Sequence, residues 1–129
     1  MRAGISNVEE NFPDVAEFER AFGVQCEHAL REVLGTSSFA STVHYFIEHA
    51  VSVADSARRP AEFDDALSVL FNPVGAVLLE GRILKRFYHS TGMRFEWNEA
   101  MVFKEEVEEA SRQFRRRMPQ PPAQRQGGG

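Results

Sequence analysis

The sequence predicts an all-α fold, a compact bundle of about five helices with a disordered C-terminal tail. Apolar residues recur at spacings of three and four along most of the chain, and the alternation typical of strands is nearly absent. The chain has 129 residues, of which 43% are hydrophobic and eleven are Phe, so a single domain can bury a substantial core. We expect a flexible N-terminus over 1–12, a single helical domain over 13–118 and a disordered tail over 119–129.

Two helices are predicted in the first half of the chain. The first runs from about Asp14 to Leu34 and ends at Gly35, because glycine readily adopts the conformation that terminates a helix. The second has N-cap oxygens available near Ser38 and runs to about Val53. Each helix gathers its apolar residues on one face, with Phe18, Phe22, Cys26, Leu30 and Val33 in the first, and Phe39, Val43, Phe46, Ile47 and Ala50 in the second.

The second half predicts three more helices. Pro60 suits the first turn of a third helix, which ends at Asn72 before a proline. The fourth, from about Val74 to Ser90, has the broadest apolar arc and should form the centre of the core. The fifth has a capping residue at Asn98 and reaches about Met118.

The expected location is the cytoplasm. Cys26 is the only cysteine, so no intrachain disulfide can form, which favours a reducing compartment. The N-terminus is polar and acidic and lacks the apolar run of a secretion signal. No uninterrupted apolar stretch is longer than Ala76 to Leu79, far short of the roughly 20 residues that span a bilayer, so we expect no membrane span.

Charge is distributed unevenly along the chain. Residues 1–111 hold all 19 acidic residues and 10 of the 15 Lys and Arg, which leaves a charge of −9. Residues 112–129 carry five Arg and no acid. An acidic body repels phosphate backbones, whereas the short basic end can still contact one.

Glu80 is anomalous because it falls near the middle of the apolar arc of the fourth helix. An unpaired buried charge is costly, so this carboxyl should take up a proton or find an Arg, a hydroxyl or backbone donors. We favour a structural pairing. A functional carboxylate is the alternative, although no second acid is placed by sequence to form a general acid and base pair.

The opposite side of the same helix carries a basic ridge, which consists of Arg82, Lys85, Arg86 and His89. We favour a solvated face, because cations near a helix C-terminus complement the helix dipole. The alternative is a site for a phosphate or an acidic partner.

The predicted fifth helix is apolar on one side only, at Phe103, Val107, Ala110, Phe114 and Met118. Glutamates occupy its first half, and Arg115 and Arg116 belong to a basic cluster near its end, which suits the helix dipole. We favour docking of this helix onto the domain over a short two-helix contact with another chain.

No catalytic or metal-binding motif is present. His44, Glu48 and His49 have the wrong spacing for the zinc signatures HEXXH and HXXEH, and no Glu-X-X-His occurs. A nucleophile elbow, a dinucleotide fingerprint and a phosphate loop are all missing from the sequence. We therefore expect no enzyme activity, no cofactor and no metal.

The stretch from Glu27 to Arg112 resembles a small helical domain of archaeal signalling and standalone proteins, the Nitrosopumilus-type output domain. The matching residues are Leu30-Arg-Glu-Val-Leu-Gly35, His44-Tyr45, Pro60-Ala-Glu-Phe63, Ala66-Leu67, Leu70-Phe71, Gly75-Ala76, Leu79-Glu80, Ile83, the Tyr88 region, Gly92 and Val107-Glu108-Glu109-Ala110. Asn72-Pro73 departs from the family pattern. The resemblance implies a regulatory or interaction module coupled to signalling, with Glu80 in the shared pattern and no catalytic residues.

These observations predict a non-enzymatic helical module that binds another protein or itself, through the fifth helix or an apolar groove. One alternative is a nucleic-acid contact made by the ridge from Arg82 to Arg86 and the C-terminal Arg cluster. Another is a sensor that holds a small apolar or acidic ligand, with Glu80 or Arg82 at the pocket.

Overall fold

The computed structural model describes residues 13–118, which form three α-helices and a short 3-10 turn without any strand. The elements are α1 (Pro13–Glu48), the 3-10 turn (Val53–Asp55), α2 (Pro60–Ser90) and α3 (Phe103–Arg117). The all-α prediction is confirmed, whereas the expected count of about five helices is wrong. The predicted flexible N-terminus and disordered tail fall on residues 1–12 and 119–129, outside the described residues.

The first two predicted helices form the single helix α1, which is kinked at Gly35. At this residue φ is 81° and ψ is 172°, and the helix resumes on the far side. No atom lies within 4 Å of the position that a Cβ would occupy, so the backbone conformation, not packing, requires glycine here. The helix ends at Glu48, short of the expected Val53, and the chain reverses at Ala50, whose φ is 58°.

The third and fourth predicted helices are likewise two parts of one element, α2, with a kink at Asn72. Its φ of 58° and ψ of 167° interrupt the helix, and Pro73 supplies no backbone N–H to continue the hydrogen bonding. The Asn72 side-chain oxygen accepts a hydrogen bond of 3.0 Å from the Gly75 backbone N–H, as an N-cap does. The second part of α2 therefore starts without an intervening loop.

Helix α3 begins at Phe103, later than the sequence predicts. Asn98 does not cap it; its side-chain oxygen accepts the Ala100 N–H at 2.9 Å and stabilises a turn in the preceding loop. The Glu105 carboxylate accepts the Val102 N–H at 3.1 Å, which satisfies a backbone donor at the start of the helix.

Aromatic side chains from all three helices meet in one apolar cluster. The ring centroid of Phe22 in α1 lies 5.2 Å from that of Phe87 in α2 and 6.3 Å from that of Phe103 in α3. Phe46, from the second part of α1, packs edge-on against Phe63 of α2 at 5.5 Å. A fully buried Phe contributes roughly 1.5–3 kcal/mol, so this cluster helps to hold the three helices together.

Some residues that the periodicity assigns to the core are exposed. They are Val33, Ile47, Ala50, Leu70 and Val77. The kinks at Gly35 and Asn72 change the direction of each helix, so a single face does not stay against the core along the whole element.

Candidate functional site

An open pocket of about 460 Å³ lies between α2, α3 and the loop that joins them. Its carboxyl-bearing residues are Asp64, Glu80, Glu99 and Glu106, and its apolar residues include Val77, Leu84, Trp97, Met101 and Phe103. No Lys, Arg or His is among the described residues that line it. The pocket therefore combines apolar walls with a concentration of acidic groups.

Glu80 lies at the buried end of this pocket with only 4% of its surface exposed. Its Oε2 has no hydrogen-bond partner among the described residues. Burial raises the pKa of Glu80 to about 9, and the adjacent Asp64 side chain adds to this rise by hydrogen bonding and by charge repulsion. The expected Arg or hydroxyl partner is not found among residues 13–118; the neighbour is a second acid, and Glu80 stays protonated at neutral pH.

Glu106 is a second buried acid, and the sequence analysis missed it. Its side chain is also 4% exposed and its Oε2 also lacks a partner among the described residues. Burial raises the pKa of Glu106, and the backbone N–H of Asn98 partly offsets this by stabilising the carboxylate. Glu106 lies on the apolar face of α3, because it shares helical spacing with Phe103, Val107 and Ala110. The neighbouring glutamates make it look like part of a solvated face in the sequence.

The rim of the pocket is formed by side chains that remain accessible. Trp97 is partly exposed, and its ring lies against Gly81 of α2, where a Cβ would make an ordinary van der Waals contact at 3.5 Å. Val102 and Glu99 are exposed beside it. The mouth therefore offers an aromatic ring, an aliphatic group and a carboxylate to an entering ligand.

The basic ridge does form one surface, and its four residues share a shallow depression with Glu32 of α1. The Arg82 and Arg86 guanidinium groups lie 3.5 and 3.3 Å from the Glu32 carboxylate. Arg86 also donates a hydrogen bond of 3.1 Å to the Gln25 side chain. Lys85 and His89 are exposed. Half of the ridge is therefore engaged in linking α2 to α1.

The apolar residues proposed for binding on α3 lie inside the protein. Phe103 and Val107 are buried, and the half-buried Phe114 ring lies 5.8 Å from those of Phe18 and Phe87. Arg115 is partly buried and Arg116 is exposed. Helix α3 thus docks onto the domain, and its apolar face is not available to a partner.

Exposed apolar side chains are concentrated instead on α2, on both sides of its kink. We call the set formed by Val69, Leu70, Val74, Val77 and Leu78 the α2 apolar face. Val69, Val74 and Leu78 are 71%, 70% and 67% exposed. The segment 66–79 contains no charged residue, and such contiguous apolar exposure marks interaction surfaces.

Helix α2 is also long and apolar enough to cross a membrane by length and composition. Ser68, Asn72 and Gly75 interrupt the apolar segment of this helix without adding charge, so no long uninterrupted apolar run marks it in the sequence. A single helix of this kind is only weak evidence for a membrane span, because core helices of soluble proteins can have the same length and composition.

Other candidate chemistry is located away from the pocket. Within residues 13–118, no group of three or more His, Cys, Asp or Glu is placed to hold a metal. His44 and Glu48 form an exposed pair at 3.1 Å on α1. Cys26 is fully buried, and burial raises the pKa of its thiol to about 12, which keeps it protonated and poorly nucleophilic.

The fold and the pocket define this chain as an all-α protein with a carboxylate-lined pocket and an exposed apolar helix face. No family model, no curated protein and no solved structure matches the chain significantly. The resemblance to the Nitrosopumilus-type output domain therefore stays a prediction.

Proposed function

We propose that this chain is a non-enzymatic helical interaction module that pairs with a second copy of itself through the α2 apolar face. The observation that carries the proposal is the exposure of five aliphatic side chains on one helix. Val74, Val77 and Leu78 follow helical spacing and form a stripe that a second helix can pack against. Burying them in an interface removes apolar area from water, which is the main driving force for association.

The charge distribution supports a second copy of the chain as the partner at the α2 apolar face. The body of the chain is acidic, so two copies repel each other wherever carboxylates meet. The segment 66–79 carries no charge, so two such faces can approach without that penalty. A two-fold axis through the face would place identical patches together, which is the commonest arrangement in homodimers.

Sedimentation equilibrium tests this proposal directly. The expected mass rises from 14.6 kDa at low concentration to twice that value at high concentration. Leu78→Glu places two carboxylates in the interface and should weaken association at least about a hundredfold, because like charges facing each other cost several kcal/mol. Ile47→Glu is the matched control, since Ile47 on α1 is 67% exposed, as Leu78 is.

Two results would contradict self-association through this face. One is a monomer at every concentration, and the other is a dimer that Leu78→Glu leaves unchanged. Flotation of the protein with lipid vesicles, lost in Leu78→Glu, would assign the same face to a membrane surface instead.

The non-enzymatic role is supported by the burial of the Cys26 thiol, which leaves no accessible thiolate at this position. A cytoplasmic location and a link to archaeal signalling rest on the sequence and its resemblance alone. The nucleic-acid alternative is less favoured, since Glu32 partly neutralises the ridge at Arg82 and Arg86.

A further inference from the structure

The pocket between α2 and α3 contains two buried acids with unsatisfied oxygens. The Oε2 atoms of Glu80 and Glu106 lie in a protein interior where polar groups are nearly always hydrogen-bonded. Leaving such a group unpaired costs about 1–3 kcal/mol. Both residues line the same pocket, so a single ligand can supply donors to both.

Among the residues that line this pocket, the ionisable side chains are all acidic, whereas Arg94 belongs to an adjoining pocket that shares Glu106. Asp64 faces Glu80 from the first part of α2, Glu106 faces the pocket from α3, and Glu99 does so from the loop. On the α1 side, the buried thiol of Cys26 is close enough to Glu80 for this carboxyl to help raise its pKa. The residues that line this pocket therefore repel an anion and attract a cation.

We infer that this pocket binds an organic cation that carries N–H donors on an apolar body, such as a protonated aromatic or alkyl amine. The N–H groups satisfy Glu80 and Glu106, and the apolar body lies against Leu84, Trp97 and Phe103. The Trp97 ring at the mouth adds a favourable face for a cation. The volume of about 460 Å³ is typical of pockets for small organic ligands.

A metal ion fits the pocket less well than an amine. No group of three or more His, Cys, Asp or Glu within residues 13–118 is placed to hold a metal. The apolar walls would also leave much of a metal ion's coordination shell unfilled, whereas they match the hydrocarbon part of an amine. This inference does not depend on dimer formation.

Binding of the cation is coupled to loss of a proton. Glu80 holds a proton at neutral pH because its pKa is raised to about 9, and an ammonium group that donates to its carboxylate stabilises the ionised form. The proton of Glu80 then passes to solvent as the cation enters. Affinity should consequently rise with pH, by up to about tenfold per pH unit below the pKa of Glu80.

Trp97 provides a direct assay because it is the only tryptophan in the chain. The probe is phenethylamine, and the matched neutral probe is phenethyl alcohol, which has the same apolar body without the charge. We expect saturable quenching or shift of the Trp97 fluorescence with the amine only. Glu80→Gln and Glu106→Gln should each weaken amine binding at least about tenfold, since a charge-assisted hydrogen bond is lost.

Glu62→Gln is the control variant, because Glu62 is an exposed acid on α2 outside the pocket. It should bind the amine as the unaltered chain does. Equal binding of the alcohol and the amine would reduce the site to an apolar cleft and overturn the inference. Full affinity in both Gln variants, or no saturable signal with the amine, would overturn it as well.

The unaltered protein gives a second test that needs no variant. Between about pH 6 and pH 8 the amine remains protonated, so a rise in affinity across this range reports ionisation of Glu80. A pH-independent affinity would contradict the proposed contact even if either Gln variant failed to fold.

Discussion

Glu80 should make the folded protein less stable as pH rises, and Glu80→Gln should remove this effect. The carboxyl ionises near 4.5 in an unfolded chain, whereas burial beside Asp64 raises its pKa to about 9 in the folded protein. Between these values the folded state holds a proton that the unfolded state has lost. The stabilising contribution is therefore complete below about pH 4.5 and is lost as pH rises towards 9.

The expected loss of stability follows from the size of the pKa shift of Glu80. One proton changes the free energy of unfolding by about 1.4 kcal/mol per pH unit, or about 4 kcal/mol between about pH 5 and pH 8. Because the pocket is open to solvent on one side, we expect about 2–4 kcal/mol. Gln has the same shape, stays neutral and can donate an amide N–H to Asp64, so Glu80→Gln should approach the unaltered chain in stability near pH 5 and exceed it near pH 8.

Urea unfolding followed by far-UV circular dichroism measures both proteins at each pH and at one protein concentration. The difference between them isolates Glu80, since every other titrating group is common to both. Glu62→Gln should show no such difference, because that side chain is exposed. Parallel pH profiles for Glu80→Gln and the unaltered chain would refute the assignment of a buried, protonated carboxyl.

Three further substitutions test the backbone and the surface by the same unfolding assay. Gly35→Ala should cost about 1 kcal/mol through its positive φ alone, and an unchanged free energy of unfolding would rule out the kink. Gly23→Ala should cost about 1–3 kcal/mol, because its Cβ would lie 2.8 Å from the Ala54 carbonyl oxygen; no loss would contradict that close approach. Arg86→Ala should change stability by less than about 1 kcal/mol, since its ion pair is exposed, and a larger loss would show that the ridge holds α1 and α2 together.

The sequence predicted the interruptions in the helices but misjudged what they do. Gly35 and Asn72 lie where helix ends were expected, and both have positive φ. The signals for stopping a helix are the same as those for kinking it, and the difference depends on whether hydrogen bonding resumes at once. At Asn72 it does, because the side chain caps the next turn at Gly75. The same residue therefore ends one helical part and caps the next, an arrangement that the expectation of two separate helices did not include.

The candidate site was only partly visible in the sequence. Glu80 was identified because its helix is otherwise apolar, so a charge on that face stands out. Glu106 was missed because it belongs to a run of glutamates that looks like a solvated face. The contact between Glu80 and Asp64 depends on how α2 continues beyond its kink, which periodicity alone does not define. Pairing of two acids is also contrary to the general expectation that a buried charge finds an opposite one.

Val77 connects the two proposals, because it belongs to the α2 apolar face and also lines the carboxylate pocket. A second copy that covers Val77 changes the surface around an occupied pocket, and a cation beside Glu80 changes the charge close to the paired face. Binding equilibria linked in this way are reciprocal: any factor by which the cation alters the dimer constant is the factor by which dimerisation alters cation affinity. A module of this design needs no catalytic residue to respond to a small molecule, since the pocket and the interface share a side chain.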